Sequence, residues 1–289
     1  MLFKGAWNDL EHIPDSRETS CAIVGATIYV FGGQGDAGAL DTVYAYDIDG
    51  DVWSASPLSP LPQPSSGHTS VALGTDIFVF GGSVGAAWKY DTAADSWSVV
   101  ASPSSTLYGA ACECAGKIYY FGGLLDNGYT TASTQIYDPG GDSWSTGAGM
   151  PESRAGAFCE VVDGKIYLIG GYHNPEGGPV DSYTNTCFLY DPISDSWTIR
   201  EPMERPRAYG ASGVAKGRII ILGGFEGVYP GLTVTESYNP TWNSWRSLND
   251  EPFARSFTCG ASYGSRVFVL GGKIDTTVYT SKVREFIAP

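Results

Sequence analysis

The sequence is poor in charged residues, and positive ones are the scarcer kind. Charged residues make up 17% of the 289 residues, against about 25% in an average globular chain. Lys and Arg number 17 and Asp and Glu number 31, which gives a formal net charge of -14 at pH 7. This charge disfavours contact with a phosphate backbone or an anionic lipid surface. We therefore expect neither nucleic acid nor membrane among the partners.

Long apolar runs and cysteine clusters are missing as well. The chain has no run of about 18 apolar residues that would suit a transmembrane helix, and its first residues lack the apolar core of a secretory signal. Six cysteines are too few for a disulfide framework in a chain of this length. Cys112 and Cys114 have no second Cys or His pair at zinc-ligand spacing. The composition predicts reduced thiols, a cytoplasmic protein, and neither metal nor cofactor.

Glycine and aromatic residues are plentiful instead. The chain has 38 glycines, and 13% of its residues are aromatic. So many glycines would destabilise helices, which excludes a helical bundle. So many aromatics combined with so little charge exclude a disordered chain.

One motif recurs six times, a short apolar run that ends in Gly-Gly. The first glycines of the pairs are 41 to 53 residues apart, at Gly32, Gly81, Gly122, Gly170, Gly223 and Gly271. The runs, such as IYVFGG and IIILGG, are rich in β-branched and aromatic residues and are therefore predicted to be strands. Each diglycine ends its strand where a side chain would obstruct a turn or a neighbouring backbone.

A second motif follows five of the diglycines with fixed internal spacing. Tyr is followed by Asp or Asn, four residues later by another Asp or Asn, and two residues after that by Trp. The five copies span residues 46–53, 90–97, 137–144, 190–197 and 238–245. The polar centre predicts a tight turn between two strands. Tyr and Trp supply large apolar faces for packing between neighbouring sheets.

Together the two motifs define a repeating unit of four antiparallel strands. One such sheet cannot bury both of its faces, so the copies must stack, and six sheets arranged radially make a β-propeller. The sixth unit lacks its Trp, whereas Trp7 stands alone near the N-terminus. We predict that the N-terminal segment supplies the outer strand of the last blade. The expected fold is all-β, with one six-bladed domain over residues 1–289.

The pattern of Gly-Gly, Tyr-Asp and Trp resembles the Kelch repeat family over essentially the whole chain. The WD40 repeat is the alternative, but its GH and WD signature is absent. The resemblance implies that the loops after each Gly-Gly and the segments leading into each innermost strand share one face. In the family's binding members, that face surrounds the channel mouth and holds the ligand.

Many Kelch repeats also carry an arginine in the segment that leads into the innermost strand. Its counterparts here are Arg154, Arg207 and Arg255 in blades 4 to 6. Counting back from the Gly-Gly pairs places Ser16, Ser65 and Thr106 at the same position in blades 1 to 3.

The candidate site residues are those that differ between blades at two positions of the mouth. One position directly follows each Gly-Gly, and the other is a pair 15 and 14 residues before the first glycine. The residues predicted to bind ligand are Arg17, Gln34, Tyr108, Tyr172, Tyr209, Phe225, Phe257 and Lys273. Aromatic walls with a few polar groups suit a ligand or peptide pocket, and Arg17 and Lys273 would orient an acidic group.

Two functions remain open from the sequence. The first is a binding module, a monomer that recognises a protein segment or a small molecule at the channel mouth. The second is a small-molecule enzyme of the sugar mutarotase or isomerase kind, with Glu18 or His173 as the acid or base. The enzyme requires titratable groups that face each other across the mouth, whereas the module requires a shallow aromatic bowl. The long loop between Gly171 and Tyr190 is predicted to contribute specificity in either case.

Overall fold

Six antiparallel sheets surround a central channel. The computed structural model describes residues 4–15, 17–104, 107–176 and 182–289. Within them, six sheets have four strands each, and a small two-stranded sheet lies in the long loop of blade 4. The prediction of an all-β, six-bladed propeller is confirmed. Ser16, Thr106 and part of the long loop, residues 177–181, lie outside the described residues.

Blades 1 to 3 are each built from consecutive strands. The first strand of the chain, β1 (Ala6–Leu10), belongs to blade 6. Blade 1 contains β2 (Glu18–Val24), β3 (Thr27–Gly35), β4 (Gly38–Asp47) and β5 (Val52–Trp53). Blade 2 contains β6 (His68–Leu73), β7 (Asp76–Gly81), β8 (Ala86–Asp91) and β9 (Ser96–Val99). Blade 3 contains β10 (Ala110–Cys114), β11 (Lys117–Phe121), β12 (Thr134–Asp138) and β13 (Ser143–Thr146).

Blades 4 to 6 repeat the pattern with one insertion and one exchange. Blade 4 contains β14 (Phe158–Val162) and β15 (Lys165–Ile169), then the inserted hairpin of β16 (Tyr172–His173) and β17 (Ser182–Tyr183), then β18 (Cys187–Asp191) and β19 (Ser196–Arg200). Blade 5 contains β20 (Ala211–Ala215), β21 (Arg218–Leu222), β22 (Thr235–Asn239) and β23 (Ser244–Ser247). Blade 6 contains β24 (Cys259–Tyr263), β25 (Arg266–Leu270), β26 (Val283–Ile287) and, on its outside, β1.

The innermost strands form a closed ring around the channel. Contacts run from β2 to β6, β10, β14, β20 and β24, and from β24 back to β2. Small side chains suit this crowded ring, and Cys21, Cys112, Cys159 and Cys259 all lie on innermost strands as free thiols. The loops after the Gly-Gly pairs leave each blade at one end of the channel, which we call the mouth face.

The Tyr-Asp motif fixes the turn between the two outer strands. The Tyr46 hydroxyl donates to Asp51 at 2.6 Å, and the same bond recurs in blades 2 to 5. Asp51 has a positive φ of 48°, a conformation that Asp and Asn tolerate better than most residues. The repeated polar residue therefore serves both the backbone of the turn and the buried tyrosine.

The Trp of the motif ties each blade to the chain that precedes it. The Trp144 indole N–H donates to the carbonyl of Ala101 at 2.8 Å, and each of the other motif tryptophans makes the equivalent bond. The repeated Tyr, Asp and Trp residues therefore build the blades, as the sequence predicts.

The N-terminal strand closes the ring. β1 pairs with β26 in antiparallel register, with Trp7 opposite Phe286. The two rings lie 5.1 Å apart, and the Trp7 indole donates to the carbonyl of Asn249 at 2.9 Å. Trp7 thus does in blade 6 what the motif tryptophan does in the other blades.

Replacing Trp7 by Ala should therefore destabilise the closed ring. Full burial of a Trp is worth about 3–5 kcal/mol in such substitutions, and because Trp7 is half-buried we expect a loss of about 2–3 kcal/mol in the free energy of unfolding. Urea unfolding measures this loss. Trp242→Ala is the matched control, because the Trp242 side chain is 74% exposed, and it should change stability by less than about 0.5 kcal/mol. Equal stability of the two variants would contradict closure by β1.

Candidate functional site at the channel mouth

A chain of backbone hydrogen bonds links five blades at the channel mouth. The Tyr108 amide donates to Gly67, Gly156 to Tyr108, Tyr209 to Gly156, and Phe257 to Tyr209, over 2.6–3.0 Å. All five residues have positive φ, between 53° and 66°. The same left-handed turn therefore precedes the innermost strand in blades 2 to 6. Glycine occupies it in blades 2 and 4, and an aromatic residue occupies it in blades 3, 5 and 6.

The three aromatic rings meet over the channel. Tyr209 and Phe257 stack with centroids 4.4 Å apart, and Tyr108 lies 5.2 Å from Tyr209 and 5.9 Å from Phe257. A Cβ atom at Gly156 would come within 2.2 Å of the Tyr209 ring. The glycine of one blade thus makes room for the aromatic ring of the next.

The aromatic surface extends outward over blades 5 and 6. Phe225 lies 5.9 Å from Phe257 and 4.8 Å from Tyr229, measured between ring centroids. All five rings are partly exposed. We call this surface the aromatic shelf; it consists of Tyr108, Tyr209, Phe225, Tyr229 and Phe257.

A buried carboxylate and a lysine lie beside the shelf. The Tyr108 hydroxyl donates to Glu18 Oε1 at 3.3 Å, and Lys273 Nζ lies 3.8 Å from Glu18 Oε2. Burial raises the pKa of Glu18, although Lys273 and the Tyr108 hydroxyl oppose that rise. Burial and the nearby Glu18 charge also raise the pKa of Tyr108. The ammonium group of Lys273 lies 5.3 Å from the centre of the Phe257 ring and 5.1 Å from that of Tyr279.

Beneath the shelf lies a cavity of about 220 Å³ that occupies the upper channel. Glu18 and Glu160 both contribute to its wall, and Glu160 also borders the lower channel. The Ser212 hydroxyl donates to Glu160 Oε1 at 2.6 Å. Burial raises the pKa of Glu160 to about 7, and the bond from Ser212 only partly opposes this.

His68 also borders the cavity but is held as a neutral imidazole. Its Nε2 lies 3.2 Å from the carbonyl of Phe31 and donates to it. Burial lowers the pKa of His68 to about 4. Among the described residues, no group of three or more His, Cys, Asp or Glu side chains is arranged to hold a metal ion. The described part of the chain likewise contains no helix with the length and hydropathy of a membrane span.

The structure brings together most of the predicted mouth residues. Tyr108, Tyr209, Phe225 and Phe257 belong to the shelf, and Lys273 lies at its edge with the catalytic candidate Glu18. Tyr172 adjoins the shelf through Tyr183, whose ring lies 5.5 Å from Tyr172 and 5.7 Å from Phe225.

The remaining two differ: Gln34 lies beside Glu18 at the edge of the mouth, whereas His173 lies apart from the shelf. Gln34 pairs with Glu18 in the β2–β3 register, and its side-chain amide donates to the carbonyl of Gly35. His173, the second catalytic candidate, has Nδ1 2.6 Å from the Ser153 carbonyl and fastens the long loop to blade 4. His173 does not line the cavity that holds Glu18.

Arg17 lies beneath the mouth and not on it. Its side chain is fully buried, pairs with Asp15, and donates from Nη1 to the carbonyl of Gly32 at 2.9 Å. Arg154 and Arg255 make the same bond to the first glycine of their own blades. Arg17 is therefore the arginine of blade 1, a correction to the assignment of Ser16, and it is removed from the candidate site.

A one-residue shift in blade 1 explains this difference. The β2–β3 register slips between Glu18 and Ser20, and the β3–β4 register slips between Phe31 and Gly33. A bulge adds one residue on one side of a strand pair, so an offset counted from the Gly-Gly pair no longer holds. The same shift places Glu18 where Ala155, Ala208 and Ser256 stand in their blades, paired with the residue after the Gly-Gly. Thr19, within β2, therefore takes the place of the left-handed turn residue.

Sequence reasoning missed Glu160 and Tyr229. Glu160 is the only acid on its strand, among the residues FCEVV. An acid on an innermost strand of a propeller is a signal that inspection of each strand would have found. Tyr229 lies in the middle of a loop, where no repeat position marks it.

Comparison with known proteins agrees with this architecture. The family profile described as the Attractin/LZTR1 beta-propeller matches residues 28–228. Kelch-like protein 23 of Mus musculus is 30% identical over 275 residues, which are 89% of this chain and 46% of that protein. Kelch-like protein terF of Aspergillus terreus is 30% identical over 263 residues, 82% of this chain and 56% of that protein. The chain thus spans about half the length of these relatives.

A solved structure has the same fold over nearly its whole length. The structure of YjhT aligns with a TM-score of 0.80 and 19% identity, and the alignment covers 95% of each chain. At this level of identity the likeness concerns the fold alone.

The raised pKa of Glu160 makes stability depend on pH. Its pKa rises from 4.5 to about 7 on folding, so the folded state holds the proton more tightly, and the free energy of unfolding should fall as the pH rises through that window. Glu160→Gln should remove this fall. Urea unfolding at pH 5 and pH 8 measures it, and Glu176→Gln, at an exposed position, controls for the change in net charge. Equal losses in the wild type and in E160Q would contradict the assignment.

Proposed function

Because the chain belongs to the Attractin/LZTR1 beta-propeller family of Kelch-type propellers, we propose that it is a binding module whose ligand lies on the aromatic shelf. The proposal places recognition at the channel mouth and assigns direct contact to Tyr108, Tyr209, Phe225 and Phe257. Lys273 and Glu18 supply the polar groups at the edge of the shelf. The expectations of a monomer and of a cytoplasmic location remain predictions.

The observation that supports this most is the presence of aromatic residues at strained backbone positions. Tyr108, Tyr209 and Phe257 have φ between 53° and 57°, a region that bulky residues occupy only at a cost. Gly67 and Gly156 make the same turn without that cost. The fold is therefore served at least as well by glycine, and the three aromatic side chains need another reason to be there. Ligand contact is such a reason, since aromatic side chains offer large contact area with little rotamer entropy.

A protein segment fits this surface better than a small molecule alone. Three of the exposed large apolar side chains stand in the loops after the Gly-Gly pairs, Leu125 in blade 3, Val228 in blade 5 and Val278 in blade 6. They stand in loops of the mouth face, so apolar exposure on this face extends beyond the shelf over blades 3, 5 and 6. A protein segment offers more apolar contact to such a spread of side chains than a small molecule does.

The enzyme alternative retains one supporting observation. Glu18 and Glu160 line the same cavity, and burial raises the pKa of both. Carboxyl groups with a raised pKa in one cavity are the kind of titratable groups that acid–base catalysis uses. Nuclear magnetic resonance of anomer exchange in a panel of sugars tests it: acceleration by the wild type but not by Glu18→Gln would favour the enzyme, and no acceleration would remove it.

Two glycine substitutions separate binding from folding. Tyr108→Gly and Tyr209→Gly copy the residues of blades 2 and 4, so we expect folded proteins in which relief of backbone strain offsets part of the lost ring contacts. For a ligand identified by thermal-shift screening of peptides and small molecules, affinity should fall by about 1–3 kcal/mol, the range of an aromatic anchor. Isothermal titration calorimetry measures the fall.

Trp242→Ala is the control for this experiment, because Trp242 lies in an outer turn on the opposite face and is mostly exposed. Its affinity should match that of the wild type. Loss of affinity in W242A, with no loss in the two glycine variants, would place the site elsewhere on the propeller.

A further inference from the structure

The loops of the mouth face carry a ring of exposed acids. One exposed Asp or Glu stands in the loop after the Gly-Gly pair in five of the six blades. These residues, which we call the acidic rim, are Asp36, Asp126, Glu176, Glu226 and Asp275. The rim encircles the aromatic shelf, so the proposed binding surface combines exposed apolar groups with negative charge.

Positive charge is scarce in the described parts of the same loops. They contain Lys273 and Lys282, and each of these lies against an aromatic ring, Phe257 and Phe253 respectively. Arg205, from the segment before blade 5, lies 3.9 Å from Glu226, and both side chains are exposed. An exposed pair at this distance neutralises little of the field of its neighbours. The rim therefore keeps most of its negative potential.

The buried arginines do not change this balance at the mouth. Arg207 pairs with Glu236 at 2.5 Å and Arg255 with Glu251 at 2.7 Å, in each case with both side chains buried. Arg17 is buried as well and is paired with Asp15, whose side chain is partly exposed. These arginines stabilise the blades and are not available to an acidic ligand. Of the two cations predicted to bind an acidic group, Arg17 and Lys273, only Lys273 therefore remains.

One cation of the chain already lies at the edge of the shelf, against two aromatic rings. The Lys273 ammonium lies near the Phe257 and Tyr279 rings and 3.8 Å from Glu18 Oε2. Aromatic faces with a carboxylate alongside attract ammonium and guanidinium groups. The chain satisfies one such position with its own lysine, and the acids of the rim remain for a partner.

We propose that the ligand of the mouth is a basic peptide segment, with aliphatic or aromatic residues that pack on the aromatic shelf and Lys or Arg residues that pair with the acidic rim. This inference rests on the proposed function, because it assigns a partner class to the same site. Charge complementarity with a chain of net charge -14 also speeds encounter with a basic partner and suppresses acidic ones.

The test begins with a displayed library of random twelve-residue peptides, selected on the purified full chain at low salt. Enriched peptides should contain more Lys and Arg than Asp and Glu, together with apolar residues. Synthetic copies are then measured by fluorescence anisotropy. Their affinity should fall by about tenfold or more between 50 mM and 500 mM NaCl, because exposed charges are screened at the higher ionic strength.

A pair of charge-matched variants locates the contact. Asp36→Asn with Asp275→Asn removes two rim charges, one in blade 1 and one in blade 6, and we expect about a 5- to 20-fold loss of affinity for the basic peptides. Asp49→Asn with Asp163→Asn removes two exposed charges from turns on the opposite face. That control changes the net charge equally and should alter affinity by less than about twofold.

Lys273→Met distinguishes the two signs of ligand charge. A basic peptide should bind this variant at least as tightly as the wild type, whereas an acidic peptide would lose a cation and bind more weakly. Enrichment of acidic or neutral peptides that still depend on Phe225 would overturn the basic class while leaving the mouth as the site. Two results would overturn both the basic class and the mouth as the site. One is that Phe225→Ala and the rim variant leave the affinity of the peptides unchanged. The other is that no peptides are enriched on the wild type over a double variant with Phe225→Ala and Tyr108→Gly.

Discussion

The close approach of two backbones at each diglycine is the constraint on which the rest of the propeller depends. In blades 1, 3, 4 and 6 the second glycine donates its amide to the chain that leads into the next blade, as Gly123 does to Arg154 and Gly171 to Arg207, at 2.8 and 2.9 Å. A Cβ atom on the preceding Gly122 would stand 2.2 Å from the Arg154 carbonyl. No side chain fits this space, and both glycines adopt positive φ. These bonds tie neighbouring blades together on the mouth side.

The geometry of the channel mouth follows from this close approach of the two backbones. Since the leading segment is held at its carbonyl, the next residues must turn sharply into the innermost strand, and they do so through the left-handed conformation at Gly67, Tyr108, Gly156, Tyr209 and Phe257. The fold fixes the backbone at these points but leaves the side chain free to differ between blades. The five positions are therefore equivalent in backbone but can carry different side chains to suit a ligand. In this chain three of them carry the rings that meet over the channel.

The architecture could be predicted from the sequence because the same motifs recur in each blade. Six Gly-Gly strands, five Tyr-to-Trp motifs and the displaced Trp7 leave one consistent ring, and the β1–β26 pairing confirms it. Position counting then located Tyr108, Tyr209, Phe225, Phe257 and Lys273 at the mouth. It failed at Arg17, because a bulge is a local backbone event that leaves no mark in the spacing of the larger motifs.

Other features of the site depend on contacts between blades, which a count along one blade does not contain. Ser212 of blade 5 bonds to Glu160 of blade 4, and neither residue belongs to the repeat pattern. Likewise, Tyr229 joins the shelf through its loop conformation, next to Phe225.

Positive and negative side chains are also separated in the structure, with arginines inside the blades and acids on the mouth loops. The buried arginines each find a carboxylate or carbonyl inside a blade, because an unpaired cation there is costly. The acids of the mouth loops face water, where no pairing is required. Positive charge is therefore scarce in the described loops of the mouth, where the rings of the aromatic shelf are partly exposed.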